Sequence, residues 1–248
     1  MLELNKIYCM DCLEGMRQMD DKSVDLVITS PPYNKAGLNG KQKRTKNCHW
    51  EKTFDYNNNV DVDNMPEDEY EKWQVDVLNE CFRVLKDDGS LFYNHKMRFH
   101  KNRAIFPMEW ISKSNFILRQ MLIWNKGGGY NMDRCRYYPC CEYIFWLVKE
   151  AKRPRFTRQV DTPFPSEVWN FGARRETEHP APFPIKIPDN IIPSVAQGER
   201  ILVMDPFMGS GTVALSAIKN HCDYIGFEKF PEYITMAEER IKENARIS

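Results

Sequence analysis

No stretch of this chain approaches the roughly eighteen consecutive apolar residues that a membrane span requires, so no membrane partner is expected. The first residues, Met1-Leu2-Glu3-Leu4-Asn5-Lys6, lack the basic and then apolar run of a secretory signal, and a cytoplasmic protein is expected. Cysteine occurs eight times but without regular spacing. Cys9 and Cys12 form one Cys-x-x-Cys, while Cys135, Cys140 and Cys141 lie far along the chain. A structural zinc site shows two such pairs, and the second is missing, so no metal is expected and the thiols read as free. Net charge is also lacking: 35 Lys and Arg balance 35 Asp and Glu, which excludes a uniformly basic surface.

The balance does not hold locally. Lys35, Lys41, Lys43, Arg44, Lys46 and Lys52 face only Glu51 across 35–52, and a second basic stretch covers 149–175. Acidic residues gather instead in 61–80 and 228–243. Basic segments on a neutral protein suit a polyanionic partner that touches one face. Solvated loops would look the same, and charge alone leaves both readings open.

At 248 residues the chain fits one substantial core, so a single domain over 1–248 is expected. Short apolar runs predict strands at 5–9, 24–29, 90–94, 121–125, 142–148, 200–205 and 223–227. Helical spacing appears between them. Tyr70, Trp73, Val77, Cys81 and Val84 mark a helix over 66–86, with Pro66 in its first turn and Asp87-Asp88-Gly89 as its stop. Further helices are predicted at 212–220 and 231–245. Alternating strands and helices imply an α/β fold around a mainly parallel sheet. Two segments break the alternation: 34–64, polar and basic, and 149–193, which holds eight of the fifteen prolines and little periodicity. Long irregular segments of this kind are usually functional or mobile.

The run Arg200-Ile201-Leu202-Val203-Met204-Asp205-Pro206-Phe207-Met208-Gly209-Ser210-Gly211-Thr212 reads as a buried strand, a glycine turn and a helix start. Gly209 and Gly211 let backbone approach a ligand, and a helix N-terminus offers free N–H groups. The next strand ends at Glu228, whose carboxylate can accept from both ribose hydroxyls of a nucleoside. No Gly-Lys-Ser/Thr follows, and the third glycine of a dinucleotide fingerprint is absent. With no polyphosphate to cradle, S-adenosyl-L-methionine is the better candidate cofactor.

A second constellation follows the strand at 24–29: Ser30-Pro31-Pro32-Tyr33-Asn34. Two prolines remove two backbone donors and fix φ, so neighbouring carbonyls remain as acceptors. A serine hydroxyl, a rigid carbonyl and an aromatic ring at one strand end can stack a planar base while two acceptors grip its amine. A proline turn explains Pro-Pro alone; it does not explain Ser before it, Tyr-Asn after it and a cofactor turn elsewhere.

Together these two motifs resemble the amino-methyltransferase family of DNA methylases, and the base motif preceding the cofactor motif resembles its permuted beta group. The resemblance covers nearly the whole chain. It implies a Rossmann-like S-adenosylmethionine-dependent methyltransferase fold: a circularly permuted, seven-stranded, mostly parallel sheet with helices on both faces. It implies catalytic roles for Ser30, Pro31, Pro32 and Tyr33, and cofactor contacts from Asp11, Asp205, Pro206, Phe207, Gly209, Gly211, Thr212 and Glu228. The segment His179-Pro180-Ala181-Pro182-Phe183-Pro184 is similar to the family segment beside the cofactor's methionine part, which adds Phe183. Trp124-Asn125-Lys126 and Glu142-Tyr143-Ile144 match later strands of the family, and Asp88 stands where a second glycine is common. Ser-Pro-Pro and His-Pro-Ala-Pro-Phe-Pro both lean toward members that methylate cytosine N4.

The resemblance also implies double-stranded DNA as partner and a bacterial, archaeal or phage source. A base inside a duplex must be flipped out to reach such a cleft. Lys41, Lys43, Arg44 and Lys46 are the candidate phosphate contacts, and 35–64 and 149–180 the candidate recognition elements. A homodimer, or a restriction or specificity partner, stays open. Pro139-Cys140 lies far from the base motif in sequence and reads as structural. The rival readings are adenine N6 methylation, methylation of RNA or a protein amide, and a catalytically dead DNA-binding subunit.

Overall fold

The computed structural model describes residues 2–34, 65–100, 102–128, 135–150, 152–172 and 184–245. In chain order the elements are β1 (Lys6–Cys9), α1 (Cys12–Met16), β2 (Val24–Thr29), α2 (Glu67–Val84), β3 (Leu85–His95), β4 (Arg98–His100), β5 (Arg103–Ile105) and α3 (Met108–Ile111). There follow β6 (Ile117–Asn125), β7 (Cys141–Val148), β8 (Val168–Asn170), α4 (Lys186–Ala196), β9 (Leu202–Asp205), α5 (Thr212–Lys219), β10 (Asp223–Glu228) and α6 (Pro231–Ala245). Eight strands form one sheet in the order β1-β10-β9-β2-β3-β7-β6-β8, and β4 and β5 pair in a separate hairpin. Only β7 runs against its neighbours, pairing antiparallel with β3 and β6.

All seven strands expected from the sequence are present, and the seven-stranded expectation is corrected to eight. The added strand, β8, is three residues long and lies parallel to β6 at the sheet edge. Three residues give too short a run for periodicity to register.

The central strands β2 and β9 are buried on both faces, whereas β6 and β8 are partly exposed. Leu26 and Ile28 of β2 join Val203 of β9 in a core with Ile187, Ile191, Val195, Val213, Ala217 and Ala237 of α4, α5 and α6. Val24 and Val27 turn the other way and meet Met16, Tyr70, Val77, Leu78, Val84 and Trp110 of α1, α2 and α3. A strand covered on both sides needs apolar residues on both faces, which explains the near-continuous apolar run over 24–29.

Two boundary expectations are corrected. Pro66 is the N-cap of α2 and not part of its first turn. Asp87-Asp88-Gly89 does not stop the helix, which ends at Val84 and passes directly into extended Leu85. Leu85 is fully buried and pairs with Val24, so sheet pairing overrides the turn chemistry of the next three residues. A Cβ at Gly89 would lie 2.9 Å from the Asp25 carbonyl oxygen, so this glycine serves strand contact.

Within 149–193, the described residues 152–172 and 184–193 are more ordered than their prolines imply. Helix α4 occupies the segment's end, with Pro188 in the first turn, where an N–H has no intrahelical partner, and Pro193 further in. Phe156, Phe164, Trp169 and Phe171 pack against the core, with ring centroids of Trp146 and Phe156 4.5 Å apart. This described part of the segment turns its aromatic surface inward.

Candidate active site

The parallel strands bring their C-terminal ends to one edge, and because β7 is antiparallel its N-terminal end arrives there too. Along this edge stand Asp11 after β1, Glu228 at the end of β10, Asp205 at the end of β9, Ser30 after β2, Asn94 and His95 of β3, Glu142 of β7 and Lys126 after β6. Strand β9 leads through α5 to β10 on one side, whereas β2 leads through α2 to β3 on the other. The order therefore reverses between β9 and β2, where open α/β sheets bind ligands.

A buried hydrogen bond crosses that switch point, from Thr29 Oγ1 to Asp205 Oδ1 at 2.7 Å. The same Asp205 oxygen accepts the Phe207 backbone N–H at 2.9 Å. Burial pushes the Asp205 carboxyl up to about 7, the two hydrogen bonds opposing the rise and the nearby Glu228 adding to it. Pro206 is buried, and the Phe207 ring meets Trp73 edge-on at 5.5 Å.

Gly209 and Gly211 both have positive φ, 50° and 78°. The Gly209 N–H donates to Glu228 Oε2 at 2.9 Å, and the Phe230 N–H donates to Oε1 at 3.0 Å. These backbone N–H groups fix the acid in place at the end of β10. Burial raises its carboxyl above the ordinary value, against the pull of these N–H groups. A Cβ at Gly211 would stand 2.8 Å from Ala237 Cβ, so this glycine admits helix α6 to the turn. Thr212 opens α5, and Arg240 of α6 donates to both the Ser210 and Thr212 hydroxyls, at 3.1 and 3.3 Å. Asp11 caps α1 by accepting the Leu13 N–H at 2.9 Å, and Cys9, two residues before it, pairs with Glu228. Two carboxylates on adjacent strands beside a glycine turn match what an adenosine moiety needs: acceptors for its hydroxyls and amine, and a turn without side-chain bulk.

At the base motif, Ser30 Oγ and the Tyr33 hydroxyl are 2.9 Å apart. Tyr33 donates to Glu142 Oε2 at 3.0 Å, and Asn94 Nδ2 donates to Tyr33 at 2.8 Å, to Glu142 at 3.0 Å and to Ser30 at 3.4 Å. Lys126 Nζ lies 2.9 Å from Glu142 Oε1. Burial alone would raise the Glu142 carboxyl, but the Lys126 charge and the hydrogen bonds from Lys126, Asn94 and Tyr33 outweigh it and hold the group below its usual value. Burial, then the Glu142 charge, keeps the Tyr33 hydroxyl well above its usual value, so it stays a donor. The Tyr33 ring packs against His95, with centroids 4.4 Å apart. Tyr70 donates to the Pro32 carbonyl at 2.7 Å and so pins the proline turn. Pro31 is buried beside it.

Asn34 has φ of 52°, a left-handed conformation that asparagine tolerates. Its side-chain amide clasps Met65, donating to the carbonyl at 2.9 Å and accepting the N–H at 2.8 Å. Asn34 and Met65, the residues flanking 35–64, thus stand together beside the base motif. Lys41, Lys43, Arg44 and Lys46 lie outside the described residues, as does Phe183.

Sequence reasoning missed roles for Thr29, Asn94, Lys126, Glu142 and Arg240. A polar or charged residue at the end of an otherwise apolar strand was the available signal for four of them. Pro139-Cys140, set aside as distant, stands next to the start of β7 and two residues from Glu142, so the fold brings that segment to the site's edge.

A doubly wound sheet that brings two carboxylates and a glycine turn beside a serine–proline turn is the arrangement expected of an α/β transferase of the S-adenosylmethionine-dependent kind. Residues 24–239 match the DNA methylase family of N6/N4 methyltransferases, and the chain belongs to it. It is thus an S-adenosyl-L-methionine-dependent DNA amino-methyltransferase. Among curated relatives, the type II methyltransferase M.BglII of Bacillus subtilis is 27% identical over 94% of this chain and 68% of its own length. The DNA adenine methyltransferase YhdJ of Escherichia coli is 26% identical, over 93% and 80%. Among solved structures, the cytosine-N4-specific PvuII DNA methyltransferase superposes with a TM-score of 0.74 at 22% identity, over 95% and 85%.

Proposed function

We propose that this enzyme, a permuted beta-group member of its family, methylates N4 of cytosine in double-stranded DNA. The observation that carries the reading is the junction of the Ser30 end of β2 with the Asp205 end of β9, tied by the Thr29–Asp205 bond. Base site and cofactor cradle then share one cleft. Asp11, Glu228, Phe207, Gly209, Thr212 and Phe183 hold the cofactor, which supplies a methyl group on a sulfonium. Tyr33 stacks on a base flipped from the duplex. Ser30 Oγ and the Pro31 carbonyl accept the amine hydrogens and so direct its nitrogen lone pair; orientation is the main protein contribution. Cytosine is supported by Ser30 at the head of the motif and by the cytosine-N4-specific fold relative. Adenine N6 is the second reading, supported by the similarity to YhdJ.

Transfer of labelled methyl groups to duplex DNA, followed by nucleoside analysis, tests this. N4-methylcytosine is expected. N6-methyladenine would move the assignment to the second reading, and no label in DNA would end both. Ser30→Ala should keep cofactor affinity and lose most turnover.

A further inference from the structure

Ser30 can serve an amine only if its hydroxyl oxygen is available as an acceptor, and the surrounding hydrogen bonds decide that. An ionised carboxylate only accepts, and Glu142, held by Lys126 at 2.9 Å, is such a group. The Tyr33 hydroxyl carries one proton, and it goes to Glu142 at 3.0 Å. Turned the other way, lone pairs of the phenol and the carboxylate would face each other at that distance. The Tyr33 oxygen then has only lone pairs left for its other two neighbours. One is Asn94 Nδ2 at 2.8 Å, a donor by nature. The other is Ser30 Oγ at 2.9 Å, which must donate. Its single proton is thereby committed, and what it offers elsewhere is acceptor capacity. The Asn94 contact at 3.4 Å occupies at most one lone pair.

We infer that the half-buried Glu142–Lys126 pair sets the direction of the chain Glu142–Tyr33–Ser30, makes Ser30 an obligate acceptor, and thereby selects bases bearing an exocyclic amine over those bearing a carbonyl at the same position. The inference rests on the DNA amino-methyltransferase reading. A base amine offers two donors to Ser30 Oγ and the Pro31 carbonyl. An oxo base, uracil for cytosine or hypoxanthine for adenine, would set its oxygen against two acceptors and leave all three unpaired. A serine free to rotate would instead donate to that oxygen and accept either base. Glu142 and Lys126 are positioning residues: neither is assigned a contact with the base.

The test uses two duplexes that differ only at the target base, amine against oxo, with nucleoside analysis of wild-type product fixing which pair is used. Affinity is measured with S-adenosylhomocysteine present, and the amine-to-oxo ratio for each variant is divided by that of wild type. The division cancels the different ease of flipping the two bases. In Glu142→Gln the amide can donate to Tyr33 and reverse the chain. The ratio should fall on the order of ten- to a hundredfold, and kcat should fall with unchanged affinity for S-adenosylmethionine. Tyr33→Phe cuts the chain without disturbing the ion pair, and its ratio should fall likewise; it decides the matter if Glu142→Gln does not fold. Glu142→Asp, still acceptor-only, should regain part of the ratio. Variants that lose turnover but keep the wild-type ratio would overturn the inference and make Glu142 merely structural. Wild-type protein that methylates no DNA would overturn the underlying reading instead.

Discussion

Asp205 offers a stability test that is independent of any ligand. Its carboxyl sits near 7 in the folded protein against an ordinary 3.8, burial being the main cause. A raised acid is bound to its proton more tightly in the folded state than in the unfolded one. Its stabilising contribution is therefore fully present below about pH 4 and is lost as pH rises to and through about 7. Integrating between about pH 5 and about pH 8 gives a loss on the order of 2–3 kcal/mol from this one group. Asp205→Asn keeps an oxygen to accept from Thr29 and from the Phe207 N–H, and removes the ionisation. Subtracting the variant's unfolding free energy from that of wild type at each pH cancels the other titrating groups. Urea unfolding followed by the fluorescence of the six tryptophans supplies both values. The difference should fall by roughly 2–3 kcal/mol across that range. A difference constant within about 0.5 kcal/mol would show that Asp205 titrates normally and that water reaches it.

Gly211→Ala should destabilise by about 1–3 kcal/mol, since φ is 78° and the new methyl would meet Ala237 at 2.8 Å; denaturant unfolding that matches wild type would remove the close approach of α6. Glu228→Ala should weaken S-adenosylmethionine binding at least about tenfold by calorimetry, because it removes the acceptor and frees the Gly209 and Phe230 N–H groups. Neutralising Lys41, Lys43, Arg44 and Lys46 together should leave cofactor affinity unchanged and flatten the salt dependence of DNA binding, by about one unit of logarithmic slope per lost phosphate contact. Parallel slopes would assign DNA contact to another segment.

The sheet was legible in the sequence because its strands are short apolar runs that end sharply at Thr29, Asp205 and Glu228. The glycine turn and the serine–proline turn were legible because each is contiguous, and each places unusual residues directly after a strand. What could not be read was the company these turns keep. Glu142 reaches Tyr33 only because β7 runs backward and delivers its first residues to the edge where its neighbours end. No local pattern over 141–148 encodes that direction. Helix α4 was obscured because proline was weighed as a breaker, whereas Pro188 falls in the first turn, where its missing donor does no harm. Gly211 meets a demand that spacing does not show: a Cβ there would meet Ala237 of α6, a residue 26 positions along the chain.

The Asn34–Met65 clasp bears on how such an enzyme can diverge. One asparagine side chain ties the residues that flank 35–64 to each other, through two bonds of 2.8 and 2.9 Å. Strain from changes between those ends is then stopped at the clasp before it reaches β2 or α2. Doubling the length of such a loop costs only about 0.6 kcal/mol in closure entropy. Residues between the two ends can therefore be added, removed or exchanged while β2 and α2 keep their places, so the length of this part of the chain is free to vary in lineages that share the scaffold.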